Sequence, residues 1–445
     1  MRSSFSRSLA EALAAAFLAG PWSARAMAAR AARAVSRRPP WLARLAAQVR
    51  GAFGAPPVDR FDTLVRTVCA DEALQDACTR GEAPRVHRVF EVSLGMTEAS
   101  QGWDVPRLDT PGDVARWLEL NIGALEWLVD WRGLGRHARP APLRHYVERW
   151  VPKRSGGARL LEAPKSRLKG AQRKILDGIL ARIPPHEAAH GFRLGHDVVS
   201  HAALHAGRAL VLCMDLEDFF LSIDARRVFG VFREAGYPEA VARVLTGLCT
   251  VRARAEGPPL PPNPTASDVA AVRRARQRYR TRHLPQGAPT SPALANLVAY
   301  RFDVRLDAAA RLLGATYTRY ADDLVFSGDA AFARDAARFR TLVAAIALDC
   351  GFRVNHRKTR LMRRGSRQRV TGLVVNEQPA ISRADFDALK ALLHNCVRTG
   401  PSSQNREGHV DFRAHLEGVV AWVNHVQPRR GEKLRALLGR IDWER

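Results

Sequence analysis

Ala315-Thr316-Tyr317-Thr318-Arg319-Tyr320-Ala321-Asp322-Asp323-Leu324-Val325-Phe326-Ser327-Gly328 sets two short runs of aromatic, β-branched and apolar residues on either side of a polar pair. Such runs read as strands, and the pair between them as a tight turn, where Asp tolerates unusual backbone. Adjacent carboxylates at a turn repel one another. A hard divalent ion such as Mg²⁺, which takes oxygen ligands, suits them. A solvated Asp-Asp turn is the simpler reading of the pair alone. The rest of the chain has to decide.

Working outward, Ala209-Leu210-Val211-Leu212-Cys213-Met214 has the length of a buried strand and ends in Asp215. Leu216-Glu217-Asp218-Phe219-Phe220 follow, then a helix is expected from about Ala225 to Cys249. Downstream, Leu284 to Pro292 reads as a loop into a helix with Ser291 as N-cap and Pro292 in the first turn, continuing to about Leu313. After the Asp-Asp hairpin come a helix over about 331–350, a strand through Asn355 and Lys358, and a strand pair at 369–376. From Ser382 the pattern is helical, broken at 400–408 and at Pro428.

Upstream, residues 145–164 read as strand, glycine turn, strand, with Lys153, Arg154 and Arg159 at or near the tip. Glycines beside cations suit a phosphate chain, and equally an ordinary solvated tip. Lys165–Ile183 is expected to be helical. Thr110 and Pro111 start a helix through Trp117 and Leu120, and Trp127, Leu128 and Trp131 read as core. Residues 252–283 differ in character: a proline loop, then a helix capped by Ser267 and carrying Arg273, Arg274, Arg276, Arg278, Arg280 and Arg282. That helix reads either as a nucleic-acid contact or as a solvated face. Residues 1 to about 55 read as a basic helical arm. Glu11 and the arginines at 25, 30, 33, 37 and 38 argue against a signal peptide.

The formal net charge is +26 over 445 residues, and of 70 basic residues only seven are Lys. A polyanion, nucleic acid above all, is the natural counterweight. Lys358 is one of those seven, in a chain that otherwise prefers Arg. Six cysteines without CxxC spacing argue against a disulfide framework or a zinc site, and fit a reducing cytoplasm. No apolar run is long enough to span a membrane.

Asp215, Asp322 and Asp323 thus fall at strand ends or turns, as two-metal nucleotidyl transfer requires. Five segments in order then carry a resemblance. They are Ser155-Gly156-Gly157-Ala158-Arg159, Asp215 to Phe220, Gln286 to Pro292, Tyr320-Ala321-Asp322-Asp323, and Asn355-His356-Arg357-Lys358-Thr359. With a thumb-like stretch from Leu416 to Leu434, the chain resembles the reverse transcriptases, and among them the bacterial retron type. Val370-Thr371-Gly372 matches a signature of that branch. His201-Ala202-Ala203-Leu204-His205 stands in the place of its Asn-Ala-x-x-His, with His201 for Asn.

The resemblance implies an α+β right-hand polymerase: a helical extension at 1–100, further helices and fingers at 101–208, a palm at 209–380 carrying the 252–283 insertion, and a helical thumb at 381–445. It implies two Mg²⁺ ions on Asp215, Asp322 and Asp323. It implies that Lys153 or Arg154, with Arg159, holds the triphosphate, that Gln286 lies by the incoming nucleotide, and that Phe220 is a steric gate against a 2′-OH while Phe219 is core. Lys358 would protonate the leaving pyrophosphate, or else contact phosphate. His205, Val370, Thr371 and Gly372 would meet RNA, with a structural role for His205 as the alternative. The implied partners are dNTPs, a structured noncoding RNA that is both template and primer, its branched RNA–DNA product, and an effector protein in antiviral defence; no membrane is involved. Another free-standing or intron-type reverse transcriptase, or a catalytically silent RNA-binding scaffold of the same fold, is the competing reading.

Overall fold

The computed structural model describes residues 2–57, 60–87, 90, 96, 102–138, 140–152, 158–254, 257–260 and 263–444. It divides into two compact units, Met1–Pro184 with Ile223–Leu294, and Pro185–Ser222 with Ala295–Arg445. Both mix helices with antiparallel strands, so the α+β expectation holds.

The first unit opens with five helices, Arg2–Leu18, Ala24–Ala34, Trp41–Ala52, Phe61–Cys69 and Glu72–Thr79. They close around Leu13, Phe17, Met27, Leu45 and Leu64, so the N-terminus is a folded module and not an arm. The chain turns at Gly20-Pro21, and Ser23 caps the second helix. Arg30 is buried. Its Nε donates to Ala16 O and its Nη2 to Phe17 O and Pro21 O, at 2.8, 2.8 and 2.9 Å. It satisfies carbonyls that the end of the first helix leaves unpaired.

Two strands follow, β1 (Tyr146–Pro152) and β2 (Ala158–Pro164), paired antiparallel with Pro152 opposite Ala158. The hairpin is as expected; its tip, with Lys153 and Arg154, lies outside the described residues. The helix after it, Ser166–Gly178, buries Leu168 and Ile175 as its spacing predicts. Thr110 caps the Pro111–Trp117 helix, which stops short of Leu120 because Glu119 takes a left-handed φ of 60°. Leu128 is core, but Trp127 and Trp131 are 41% and 50% exposed, against expectation. Trp127 packs edge-on to His145, and Trp131 lies under the Arg282 guanidinium. The single helix expected over 225–249 is two, Ala225–Glu234 and Glu239–Cys249, because Gly236 (φ 89°) and Pro238 interrupt it. In the insertion the helix runs Ala266–Tyr279. Its cap is Thr265, one turn before Asp268 in a reciprocal capping box, and not Ser267.

The second unit is organised by a four-stranded antiparallel sheet ordered β4-β5-β3-β6. Its strands are β3 (Leu210–Leu216), β4 (Thr316–Tyr320), β5 (Asp323–Gly328) and β6 (Val354–Arg363). β3 lies inside the sheet, between β5 and β6, which is why its sequence is almost wholly apolar. The helix expected from Ser291 to Leu313 is interrupted at Ala299, giving Ser291–Val298 and Tyr300–Leu312. Ser291 does not cap; its hydroxyl donates to Pro285 O at 2.7 Å. β7 (Arg369–Val370) and β8 (Leu373–Val374) form a small hairpin. Three C-terminal helices, Arg383–Thr399, Phe412–Val426 and Pro428–Leu438, share a core of Leu393, Leu416, Val420 and Leu434. Among the described residues, no helix is long and apolar enough to cross a membrane.

Candidate functional site

The site stands at one end of β3 and β5. Asp215 is the direct cross-strand partner of Asp323, and Leu216 N donates to Asp322 O at 2.9 Å. Like charges set opposite one another across a ladder cost stability, so this pairing needs an offsetting cation. Lys358, reached from β6, supplies one: its Nζ lies 2.8 Å from Asp215 Oδ1. Asp323 keeps the mark of the crowding. Its pKa is pushed up to about 6, first by desolvation, then by repulsion from Asp322 and Asp215, with Lys358 and Arg360 pulling the other way. The Asp323 side chain is open to solvent, so water weakens both the desolvation and the repulsion.

The turn itself is strained and held from beneath. Ala321, not an Asp, takes the left-handed backbone with φ 56°. An L-residue pays roughly 1–2 kcal/mol for that conformation, so it has to be over-determined. Arg319, fully buried, does this. Its Nη1 donates to Ala321 O at 3.1 Å and to Asn296 Oδ1 at 3.0 Å. Its Nε and Nη2 bind both oxygens of Asp303, at 2.8 and 2.6 Å, and Tyr317 adds its hydroxyl to the same carboxylate. Gly191 closes the other side, for a Cβ there would sit 2.7 Å from Ala321 N. Arg319, Asp303 and Gly191 were not foreseen as parts of the site. The available signal was an Asp between Phe302 and Leu306 on an apolar helix face.

Residues 151–383 match the reverse transcriptase (RNA-dependent DNA polymerase) family model. The chain is 42% identical over 332 residues to the retron Mx65 reverse transcriptase of Myxococcus xanthus, covering 75% of this chain and 72% of that one. It is 36% identical over 371 residues to the retron Mx162 reverse transcriptase of the same organism, covering 78% and 70%. It is 29% identical over 285 residues to the retron Ec86 reverse transcriptase of Escherichia coli, covering 64% and 77%. The chain belongs to the retron reverse transcriptases. It is an RNA-directed DNA polymerase, a nucleotidyltransferase, and the family uses a divalent metal.

In this retron reverse transcriptase the oxygen-only donor set of Asp215, Asp322 and Asp323 and the raised pKa of Asp323 fit a hard cation. Among the described residues no three His, Cys, Asp or Glu side chains are gathered closely enough to enclose an ion by themselves. A hard ion that takes its other ligands from substrate phosphates and water fits such an open set. Phe219 is buried, as expected of a core residue, and Phe220 is half-buried, tilted against Phe192 at 6.1 Å. In the other unit, Arg159 is exposed on β2 and Gln286 is half-buried, its carbonyl accepting from Glu162 N at 2.8 Å.

Two expected RNA contacts are corrected. His205 has no exposed surface, and its ring nitrogens lie 2.7 Å from Ser327 Oγ and 2.6 Å from Thr318 Oγ1, so the imidazole pins the turn that follows the Val198–Ala203 helix to the sheet. The Val370 side chain is buried at 1% exposure. Thr371 (φ 45°) and Gly372 (φ 93°) form the turn of the β7–β8 hairpin, with Gly372 exposed.

Proposed function

We propose that this reverse transcriptase copies part of a structured noncoding RNA into DNA, starting from a 2′-OH within that RNA and yielding a branched RNA–DNA product. Template and primer are then one RNA. The observation that carries the chemistry is the cross-strand pairing of Asp215 with Asp323, with Asp322 in the adjoining turn. These three would hold two Mg²⁺ ions, which when bound activate the attacking hydroxyl and neutralise the triphosphate.

The chain's own residues do the rest. Lys153 or Arg154, with Arg159, binds the dNTP triphosphate, and Gln286 lines the nucleotide. The Phe220 ring crowds a 2′-OH and favours dNTPs. Lys358 gives a proton to the leaving pyrophosphate, a task open to an ammonium and closed to a guanidinium. Thr371 and Gly372 contact RNA at an exposed turn. In this reading the hairpin belongs to the fingers, the four-stranded sheet to the palm and the last three helices to the thumb. The protein works in the cytoplasm, in antiviral defence with an effector protein.

The test is Asp322→Ala/Asp323→Ala. Mg²⁺-dependent dNTP incorporation should vanish while RNA binding persists. A short DNA covalently joined to RNA should copurify with the wild type expressed with its flanking DNA, and be missing from the variant. Undiminished incorporation by the variant would reject the assignment; RNA alone in both would favour a scaffold or an enzyme needing an external primer.

A further inference from the structure

The first unit contains a cavity of about 40 Å³ bordered by Arg136, Arg144, Arg252, Arg254 and Arg282. A cavity needs roughly 10–15 Å³ to admit a water, so this one is large enough for ordered water or one small tetrahedral oxyanion. Its acids, Asp130 and Glu148, are already committed. Asp130 accepts from Leu134 N and Gly135 N at 2.7 and 3.0 Å, and Glu148 accepts from Arg254 N at 3.0 Å. Arg282 is committed too: it spans Val129 O and Asp130 O on one side and Gly247 O on the other. Among the described residues, Arg252 and Arg254 at the mouth are held through their inner nitrogens. Arg252 Nε donates to Arg280 O at 2.5 Å and Arg254 Nε to Arg136 O at 2.9 Å, and both side chains are exposed. Beside His145, which burial keeps neutral, the cavity therefore presents guanidinium forks in excess of carboxylates.

The Arg252–Arg280 bond joins this mouth to the Ala266–Tyr279 helix of the insertion. Arg273, Arg276 and Arg280 are exposed there, at three- and four-residue spacing along one face. An isolated pocket would serve a free anion. A pocket continued by a row of cations fits a chain of phosphates.

We propose that the arginine-lined cavity seats a backbone phosphate of nucleic acid, and that Arg273, Arg276 and Arg280 carry the same strand onward. The cavity is lined by residues of the first unit alone, and the proposal rests on the proposed function only in taking nucleic acid as the polyanion.

The experiment measures equilibrium binding of a labelled RNA hairpin, without dNTPs, to the full chain over about 50–200 mM salt. Each phosphate contact contributes roughly 0.7–0.9 to the slope of log K against log salt. Arg252→Gln/Arg254→Gln should lower that slope by roughly one, and Arg273→Gln/Arg276→Gln/Arg280→Gln by roughly two to three. A mouth variant that melts like wild type and keeps the wild-type slope overturns the proposal. Should the mouth variant misfold, the helix variant decides, since its three side chains are on the surface: an unchanged slope overturns the proposal there as well. Inorganic phosphate separates the two sources. If it raises the wild-type melting temperature but not that of the mouth variant, while the RNA slopes stay equal, the cavity serves a free anion and the backbone assignment falls. Because no nucleotide is incorporated in this assay, a wild type that binds as expected yet never polymerises would sink the proposed function and leave this site standing.

Discussion

At the scale of single residues, Lys358 is where charge and chemistry meet. One ammonium neutralises Asp215 at 2.8 Å and is placed, in the proposed function, to release a proton. Lys358→Arg keeps the cation but not the proton. It should lower kcat about 10²-fold and leave primer–template affinity within a few-fold. Single-turnover rates and primer–template binding check this. An Arg variant with wild-type kcat would make Lys358 a phosphate contact. The sequence made Lys358 conspicuous, as a lysine kept among arginines. It did not reveal Arg319, a residue of ordinary appearance whose burial depends on Asp303 arriving from another element.

Elements show what that burial is for. β4, the Tyr300–Leu312 helix and the Ala321 turn are joined through one guanidinium. Arg319→Met strands the Asp303 charge in the core and should cost about 3–5 kcal/mol, seen as a lowered melting temperature. Arg319→Met/Asp303→Leu should recover most of that stability, since an apolar replacement of a buried pair is often neutral, yet not the polymerase rate. Equal recovery of both would deny that Arg319 positions the turn.

The Val198–Ala203 helix ahead of β3, with the histidines that flank it, adds a pH dependence. His201 packs between His190 and His205, at 5.5 and 5.6 Å, and against Tyr320 at 5.6 Å. Burial lowers His201 to about 3, His190 to about 4, and His205 well below its usual value, with His196, Arg193 and Arg208 adding repulsion. Below about pH 6.5 the unfolded chain takes up protons that the folded chain refuses. Stability is therefore complete above that pH and falls as pH drops toward 4, by at most about 1.4 kcal/mol per pH unit for each histidine. Urea titrations at several pH values measure it. A midpoint unchanged between pH 8 and 5 would mean that these rings are not held neutral.

For the whole molecule, the N-terminal module keeps its own core, and among the described residues that cluster runs no further than Phe90. Removing residues 1–87 should leave dNTP incorporation on a supplied primer–template within about threefold of wild type. A collapse of that activity would show that the module supports the catalytic unit directly.

Sequence alone pointed to the family of this protein and to its class of chemistry. Asp215, Asp322, Asp323 and Lys358 sit in short motifs whose residue types and local strand or turn character can be read without neighbours, because strand alternation and turn chemistry act over a few residues. The hairpin of β1 and β2, the turn between β4 and β5 and the C-terminal helices were legible for the same reason. Helix breaks at Gly236-Tyr237-Pro238 and Ala299 were not, since apolar periodicity runs across them. Tertiary structure decided the rest: that Ala321 bears the strain, that Arg319 and Gly191 hold it, that Arg30 caps a helix instead of facing solvent, and that His205 is a buried strut. Each of these depends on residues far apart in sequence, where burial and pairing override what a side chain's type alone suggests.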